Sequence, residues 1–284
     1  MYKIVKREEL NPTVTKIEVE APFVARKAQP GQFIILRVDE DGERVPFTIA
    51  GSDKEKGTIT IIFQIVGATT EKLNHVPEGG FLQDFVGPLG KPTEIEGLKK
   101  VCVVGGGVGN AIAYPIAKAL HDQGSQVDVV IGFKTKSIII LEEEFKACSD
   151  KLVLMTDDGS YGKAGMVTVG LQELLEEAKA EGKPYDEVIT IGPMIMMKFV
   201  CKTAQPYGVP CVVSMAPIMI DGTGMCGGCR LTVDGETKFA CVDGPDFDGY
   251  KVDFDEAMGR SRMYFDQERK AHEHVCNLYK MEVK

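Results

Sequence analysis

The chain has 284 residues, 44% hydrophobic and 26% charged, the balance of a globular protein rather than a disordered or fibrous one. Lysine and arginine number 33 against 42 acids, a net charge of −9, which argues against the basic surface that non-specific nucleic-acid binding needs. A run of about 18 apolar residues is lacking, so no membrane span is expected; the start, Met1–Arg7, reads as a short strand rather than an export signal, and a cytoplasmic location is expected.

Residues 1–98 read as β-rich. Ile17 and Val19 alternate with charges in Thr13–Glu20, Gln32–Val38 follows the turn signal Gln29-Pro30-Gly31, and Thr58–Val66 is another dense β run. Short strands parted by Gly, Pro and Asp clusters predict a small barrel or sandwich. A helix-like stretch at Thr70–His75 interrupts them. Over residues 99–215 the rhythm changes. Strands are expected at Lys100–Val104, Gln126–Ile131, Leu152–Met155, Glu187–Ile191 and Cys211–Ser214. Helices are expected between them at Asn110–His121, Leu141–Cys148, Val167–Ala180 and Met194–Ala204. That alternation predicts a parallel sheet covered on both faces. Residues 216–250 are glycine-rich, and 251–284 form a charged, helix-prone tail expected to pack on a partner or on the chain's own nucleotide domain.

Eight cysteines require a reading. Cys102, Cys148, Cys201, Cys211 and Cys276 are scattered through apolar or helical contexts and are expected as buried filler. Cys226 and Cys229 are spaced so that two thiolates reach one metal centre, and Cys241 returns after Leu231–Lys238, which reads as a hairpin turning at Asp234-Gly235. Gly222, Gly224, Gly227 and Gly228 let the backbone wrap closely around them. The spacing resembles the plant-type ferredoxin pattern that binds a [2Fe–2S] cluster, with Asp221 where its first cysteine would stand. A carboxylate is a harder donor than a thiolate but can ligate iron. The expected site is therefore a [2Fe–2S] cluster on Asp221, Cys226, Cys229 and Cys241. Two alternatives stay open: a structural zinc tetrahedron, and Asp221 as a turn residue only.

Gly105-Gly106-Gly107-Val108-Gly109 lies between a strand and a helix, where backbone N–H groups meet a pyrophosphate. Asn110 occupies the last glycine position of the usual dinucleotide fingerprint. Asp157, Asp158 and Gly159 follow a strand of the same unit; carboxylates there accept hydrogen bonds from a ribose and repel a 2′-phosphate, favouring NAD over NADP. The competing reading is a solvated acidic loop. Gly192-Pro193-Met194 ends another strand, where open α/β sheets take ligands. Arg44, Val45, Pro46, Phe47 and Thr48 offer a diphosphate clamp beside a ring-packing aromatic, or a plain surface strand. His75, His121, His272 and His274 are expected as surface residues, and no catalytic acid or base is required.

Together these pieces resemble the ferredoxin–NADP reductase superfamily of flavoproteins over residues 1 to about 250. The Arg44–Thr48 segment is similar to that family's FAD-binding strand motif with one inserted proline. Gln64, Val66, Gly67, Thr69 and Thr70 are similar to its second flavin segment, and Gly87-Pro88-Leu89-Gly90 to the turn that leads into the nucleotide domain. The resemblance implies a β-barrel FAD domain plus an α/β parallel-sheet NAD domain, with a small C-terminal [2Fe–2S] segment and a helical tail. Two branches carry such a segment. One is the electron-transfer subunit of dihydroorotate dehydrogenase, with four cysteines. The other is the small (alpha) subunit of NADH-dependent reduced ferredoxin:NADP+ oxidoreductase, also called sulfide dehydrogenase beta subunit. Pro217–Cys229, with Asp221 in the first ligand position, resembles the second, although Ala216 replaces an expected asparagine. That branch implies a heterodimer whose larger subunit carries FAD and [4Fe–4S] clusters, binds NADP(H), meets ferredoxin and bifurcates electrons. This chain would then exchange hydride between NAD(H) and FAD and pass single electrons through its cluster. The competing expectations are the dihydroorotate branch and a zinc-stabilised, non-enzymatic nucleotide-binding subunit.

Overall fold

The computed structural model describes residues 1–282, and the side chains of residues 1–278. Its first part is antiparallel. Strands β1 (Tyr2–Asn11), β2 (Val14–Glu20), β3 (Phe33–Arg37), β4 (Val45–Thr48), β5 (Gly51–Asp53), β6 (Thr58–Gln64), β7 (Phe81–Leu82) and β8 (Asp84–Leu89) form two sheets, ordered β5-β6-β2-β1-β7 and β4-β3-β8. Helices α1 (Pro22–Ala25) and α2 (Ala68–His75) are inserted between strands. Alternation decides which face is inside: Val14, Ile17 and Val19 of β2 are buried, while Lys16 and Glu18 point outward and meet Glu8 and Lys6 of β1. Ile17, Ile34, Leu36, Ile59, Ile61, Phe63 and Phe85 fill the interior. Each fully buried side chain of this kind contributes roughly 1.5–3 kcal/mol.

The second part is a doubly wound sheet. Strands β9 (Lys100–Gly106), β10 (Gln126–Phe133), β11 (Lys151–Thr156), β12 (Lys163–Ala164), β13 (Glu187–Ile191) and β14 (Cys211–Ser214) are parallel, in the order β12-β11-β10-β9-β13-β14. Val101 to Gly106 are buried without a break, as a strand covered on both faces requires. Helices α3 (Asn110–Asp122) and α4 (Glu142–Lys146) cover one face, α5 (Val167–Ala180) and α6 (Met194–Ala204) the other.

The remainder holds the hairpin β15 (Arg230–Val233) and β16 (Glu236–Phe239), strand β17 (Asp246–Asp248), and helices α7 (Phe254–Arg260) and α8 (Phe265–Glu282). The hairpin turns where expected, with Asp234 and Gly235 both at positive φ, 54° and 76°. Strand β17 was not expected. It pairs antiparallel with β14 and extends the large sheet, so the cysteine segment is woven into its neighbour. The tail corrects two expectations. Helix α7 docks on the nucleotide domain, through Lys198 of α6 and Asp255 (Nζ–Oδ1 2.6 Å), whereas α8 lies on α2 of the barrel. Cys276 is half-buried on α8 rather than core filler, because the helix carries few apolar residues and sits on a surface helix. No described helix is long and apolar enough to cross a membrane.

Glu187, at the start of β13, lies near Asp246, Glu94 and Asp248; burial first, then these acids, push its carboxyl up to about 7. A raised acid pKa favours the protonated fold, so the cost begins above the ordinary 4.5 and is complete above about 7. Glu187→Gln is therefore expected to raise the melting temperature at about pH 8 and to change it much less near pH 5. Equal shifts at both pH values would assign the effect to packing.

Candidate functional site

Strand β4 is the free edge of its sheet, which is why Pro46, lacking an N–H, fits there. Val45, Pro46, Phe47 and Thr48 are all half-buried, and Phe47 meets Phe63 edge-on with ring centroids 5.9 Å apart. Arg44 precedes the strand. Its Nε donates to the Ile220 carbonyl at 3.1 Å, and its Nη1 is 4.0 Å from Asp84 Oδ2. The arginine thus bridges the barrel and the cysteine segment.

Gln64 ends β6, and Val66 and Gly67 lead into α2. The Thr70 hydroxyl accepts from the N–H groups of Val66 and Gly67, each at 2.9 Å, and donates to the Gly67 carbonyl at 2.9 Å. A Cβ added at Gly67 would meet no atom within 4 Å. The helix start is therefore tightly folded yet open to an approaching anion. Thr69 donates to Glu43 Oε2 at 3.0 Å. Glu43 and Asp84, the acids around this corner, were missed in the sequence; the one signal was Glu43 standing beside Arg44.

In the nucleotide domain a 3₁₀ turn, Gly107–Gly109, joins β9 to α3. A Cβ at Gly109 would lie 2.7 Å from the Ile191 carbonyl oxygen and 2.8 Å from Gly192 Cα; one at Gly106 would lie 2.3 Å from Met196 Sδ. The structure thereby brings Gly105–Gly109 together with Gly192, Pro193 and Met194 at the carboxyl ends of β9 and β13. That is the point where the strand order reverses, the usual ligand crevice of such sheets. Asn110 replaces the last glycine with a useful side chain, its Nδ2 donating to the Gly107 carbonyl at 2.9 Å and holding the turn.

Asp157, Asp158 and Gly159 leave the end of β11, two strands from the glycine turn. Asp158 accepts from the Ser160 N–H at 3.0 Å, and the Ser160 hydrogen bonds hold its carboxyl below the usual range. Asp157 N donates to the Phe133 carbonyl at 3.0 Å and Asp158 N to the Lys134 carbonyl at 3.3 Å, so the end of β10 lies alongside. Lys136 there stacks over the Tyr161 ring at 5.0 Å. These cations beside the acids went unnoticed in the sequence.

The cysteine loop rests on the barrel: a Cβ at Gly222, which has φ of 84°, would lie 2.7 Å from both Ile35 Cδ1 and Leu89 Cδ1. Cys229 and Cys241 are buried with sulfurs 3.2 Å apart, while Cys226 is exposed and accepts from the Gly228 N–H at 3.4 Å. Burial, then the Cys229 thiol, push Cys241 up to about 12, so its sulfur becomes a thiolate when a cation replaces its proton. Asp221 Oδ2 accepts from the N–H groups of Thr223 (2.9 Å) and Met225 (3.2 Å) and from the Thr223 hydroxyl (2.5 Å). These hydrogen bonds, aided by Arg44, hold the carboxyl below its ordinary value. It is ionised, the state in which a carboxylate can ligate a metal, and it holds the turn at Thr223 and Met225. No three of the four donors lie within 4.8 Å of one another among the described residues. The donor set suits an iron–sulfur cluster, with backbone N–H groups aimed at sulfur.

Residues 216–253 match the iron–sulfur cluster binding domain of dihydroorotate dehydrogenase B. The chain is 46% identical over 273 residues to the dihydroorotate dehydrogenase B (NAD(+)) electron transfer subunit homolog of Thermotoga maritima, covering 96% of this chain and 95% of that one. It is 51% identical over 278 residues to an uncharacterised protein of the adh 3′ region of Clostridium beijerinckii, covering 95% and 93%. It superimposes with a TM-score of 0.89 on a chain of the NADH-dependent reduced ferredoxin–NADP oxidoreductase, a structure solved to study flavin-based electron bifurcation, at 44% identity over 97% of this chain and 98% of that one. On this evidence the chain belongs to the family of dihydroorotate dehydrogenase B-type electron transfer subunits, flavin and iron–sulfur oxidoreductase subunits with the ferredoxin-reductase fold.

Proposed function

We propose that this chain is the NAD(H)-side subunit of an NADH-dependent reduced ferredoxin:NADP+ oxidoreductase. In this reading β4 and the start of α2 hold FAD, the Gly105–Gly109 turn with Gly192–Met194 holds NAD(H), and Asp221, Cys226, Cys229 and Cys241 hold a [2Fe–2S] cluster. One observation carries it: Arg44, the residue suited to clamp the flavin diphosphate, also grips the Ile220 carbonyl next to Asp221. The two sites are therefore held side by side through one side chain, and a relay from a two-electron to a one-electron carrier needs such closeness. Bound flavin supplies that conversion, taking electrons in pairs from a nicotinamide and releasing them singly.

The chain's own residues bind and orient. Thr70 pins Val66 and Gly67 so that α2 presents its first N–H groups. Phe47, packed against Phe63, walls the flavin strand. Asp157 and Asp158 face the ribose end and disfavour a 2′-phosphate. Asp221 in place of a first cysteine supports this branch over the dihydroorotate one. Ile220, Met225, Met263, Tyr264 and Phe265 are exposed around or near the cysteine loop, Met225 at 87%, and support docking of a larger subunit there.

The test is an anaerobic visible spectrum of the purified chain. NADH is expected to bleach flavin bands and a broad iron–sulfur shoulder, at least about tenfold faster than NADPH, the effect of about 1.4 kcal/mol. Equal rates would remove the role of Asp157 and Asp158, and a featureless spectrum of the folded chain would overturn the reading.

A further inference from the structure

Among the described residues, one cluster of metal-binding groups outside the cysteine loop joins the tail helix α8 to α2, the helix whose start is assigned to the flavin. His272 and Cys276 stand four residues apart on α8 and so face the same way, one turn apart. They face Glu71 of α2, whose Oε2 is 4.0 Å from His272 Nε2. One ligand atom from each of Glu71, His272 and Cys276 lies within 4.8 Å of the other two, and all three residues are half-buried. We infer that these three side chains form a binding site for a zinc-class divalent metal that clips the tail helix to the barrel.

The chemistry of the set favours this ion. A thiolate and an imidazole exclude magnesium and calcium, which take oxygen ligands, and select zinc or a neighbouring transition metal. One thiolate and one carboxylate balance the two positive charges, and the imidazole binds neutral. Tetrahedral zinc with bonds of 2.0–2.3 Å needs donors about 3.4–3.6 Å apart, so side-chain rotations of roughly 1 Å close the site. Three protein ligands leave a fourth position for water. His75, one turn beyond Glu71, flanks the same carboxylate with Nδ1 3.8 Å from Oε1. The contact between α2 and α8 is otherwise carried by a helix with few apolar residues, and a metal bridge compensates for that.

The experiment uses the full chain with flavin, iron and acid-labile sulfide all measured. Zn²⁺ is expected to bind as one further equivalent to iron-loaded protein, and Co²⁺ to give tetrahedral d–d bands to the red of the flavin. His272→Ala and Cys276→Ser should each weaken Zn²⁺ binding by at least the roughly 10–100-fold that loss of a supporting contact alone costs. Neither should change iron, sulfide or flavin content, and His274→Ala should change nothing. Zinc that binds only to iron-free protein would belong to the cysteine loop and overturn the proposal. So would Zn²⁺ affinity unmoved in both variants.

Discussion

Gly109→Ala is expected to disable the nucleotide site while leaving flavin and iron content intact. Gly109 has an ordinary helical conformation, so conformational strain is not the reason. Its added methyl would fall 2.7 Å from the Ile191 oxygen, 2.8 Å from Gly192 Cα and 3.0 Å from the Ile191 carbonyl carbon. All three are backbone atoms that no rotamer change removes. The two loops lining the crevice must part, at an overpacking cost of about 1–3 kcal/mol. The melting temperature should fall by roughly 2–4 °C per kcal/mol. The NADH concentration for half-maximal flavin bleaching should rise by about tenfold or more, since 1.4 kcal/mol suffices. Gly107→Ala is the contrast: its φ of 58° strains a side chain, but nothing stands within 4 Å. It should cost about 1–2 kcal/mol of stability with a smaller effect on NADH. A lower melting temperature with unchanged NADH dependence in Gly109→Ala would remove these loops from the nucleotide site.

Cys229→Ser should remove the cluster. Cys229 is 2% exposed and belongs to a core that continues through Leu231, Cys241 and Phe254. Serine leaves a buried hydroxyl where the metal needs a thiolate, and iron affinity should drop by more than the roughly 10–100-fold cost of losing a supporting contact. NADH should still bleach the flavin, and transfer to a one-electron acceptor that takes its electrons from the cluster should stop. Iron and sulfide content with electron paramagnetic resonance checks this, and normal cluster loading would refute the assignment. Asp221→Cys is the companion variant. It should keep iron and change the resonance spectrum and potential; an unchanged spectrum would confine Asp221 to holding Thr223 and Met225.

Local signals made much of this legible in the sequence. The apolar run Val101–Val104, the glycines after it and the turn Asp234-Gly235 each depend on neighbours a few residues away. They appear in the structure close to where periodicity and turn chemistry put them. Distant contacts were not legible. Strand β17 is three residues long and exists because β14 offers an open edge. The docking of α8 on α2 depends on partners about 200 residues apart, and so does the meeting of Glu71 with His272 and Cys276. Likewise, that Arg44 reaches Ile220 follows from the path of a loop no pattern describes.

The seating of Gly222 on Ile35 and Leu89 has a kinetic consequence. Electron tunnelling depends steeply on distance. Here the cysteine loop rides on β3 and β8, beside the strand assigned to the flavin. If the flavin and the cluster sit where proposed, the gap between them is set by this packing when the barrel folds.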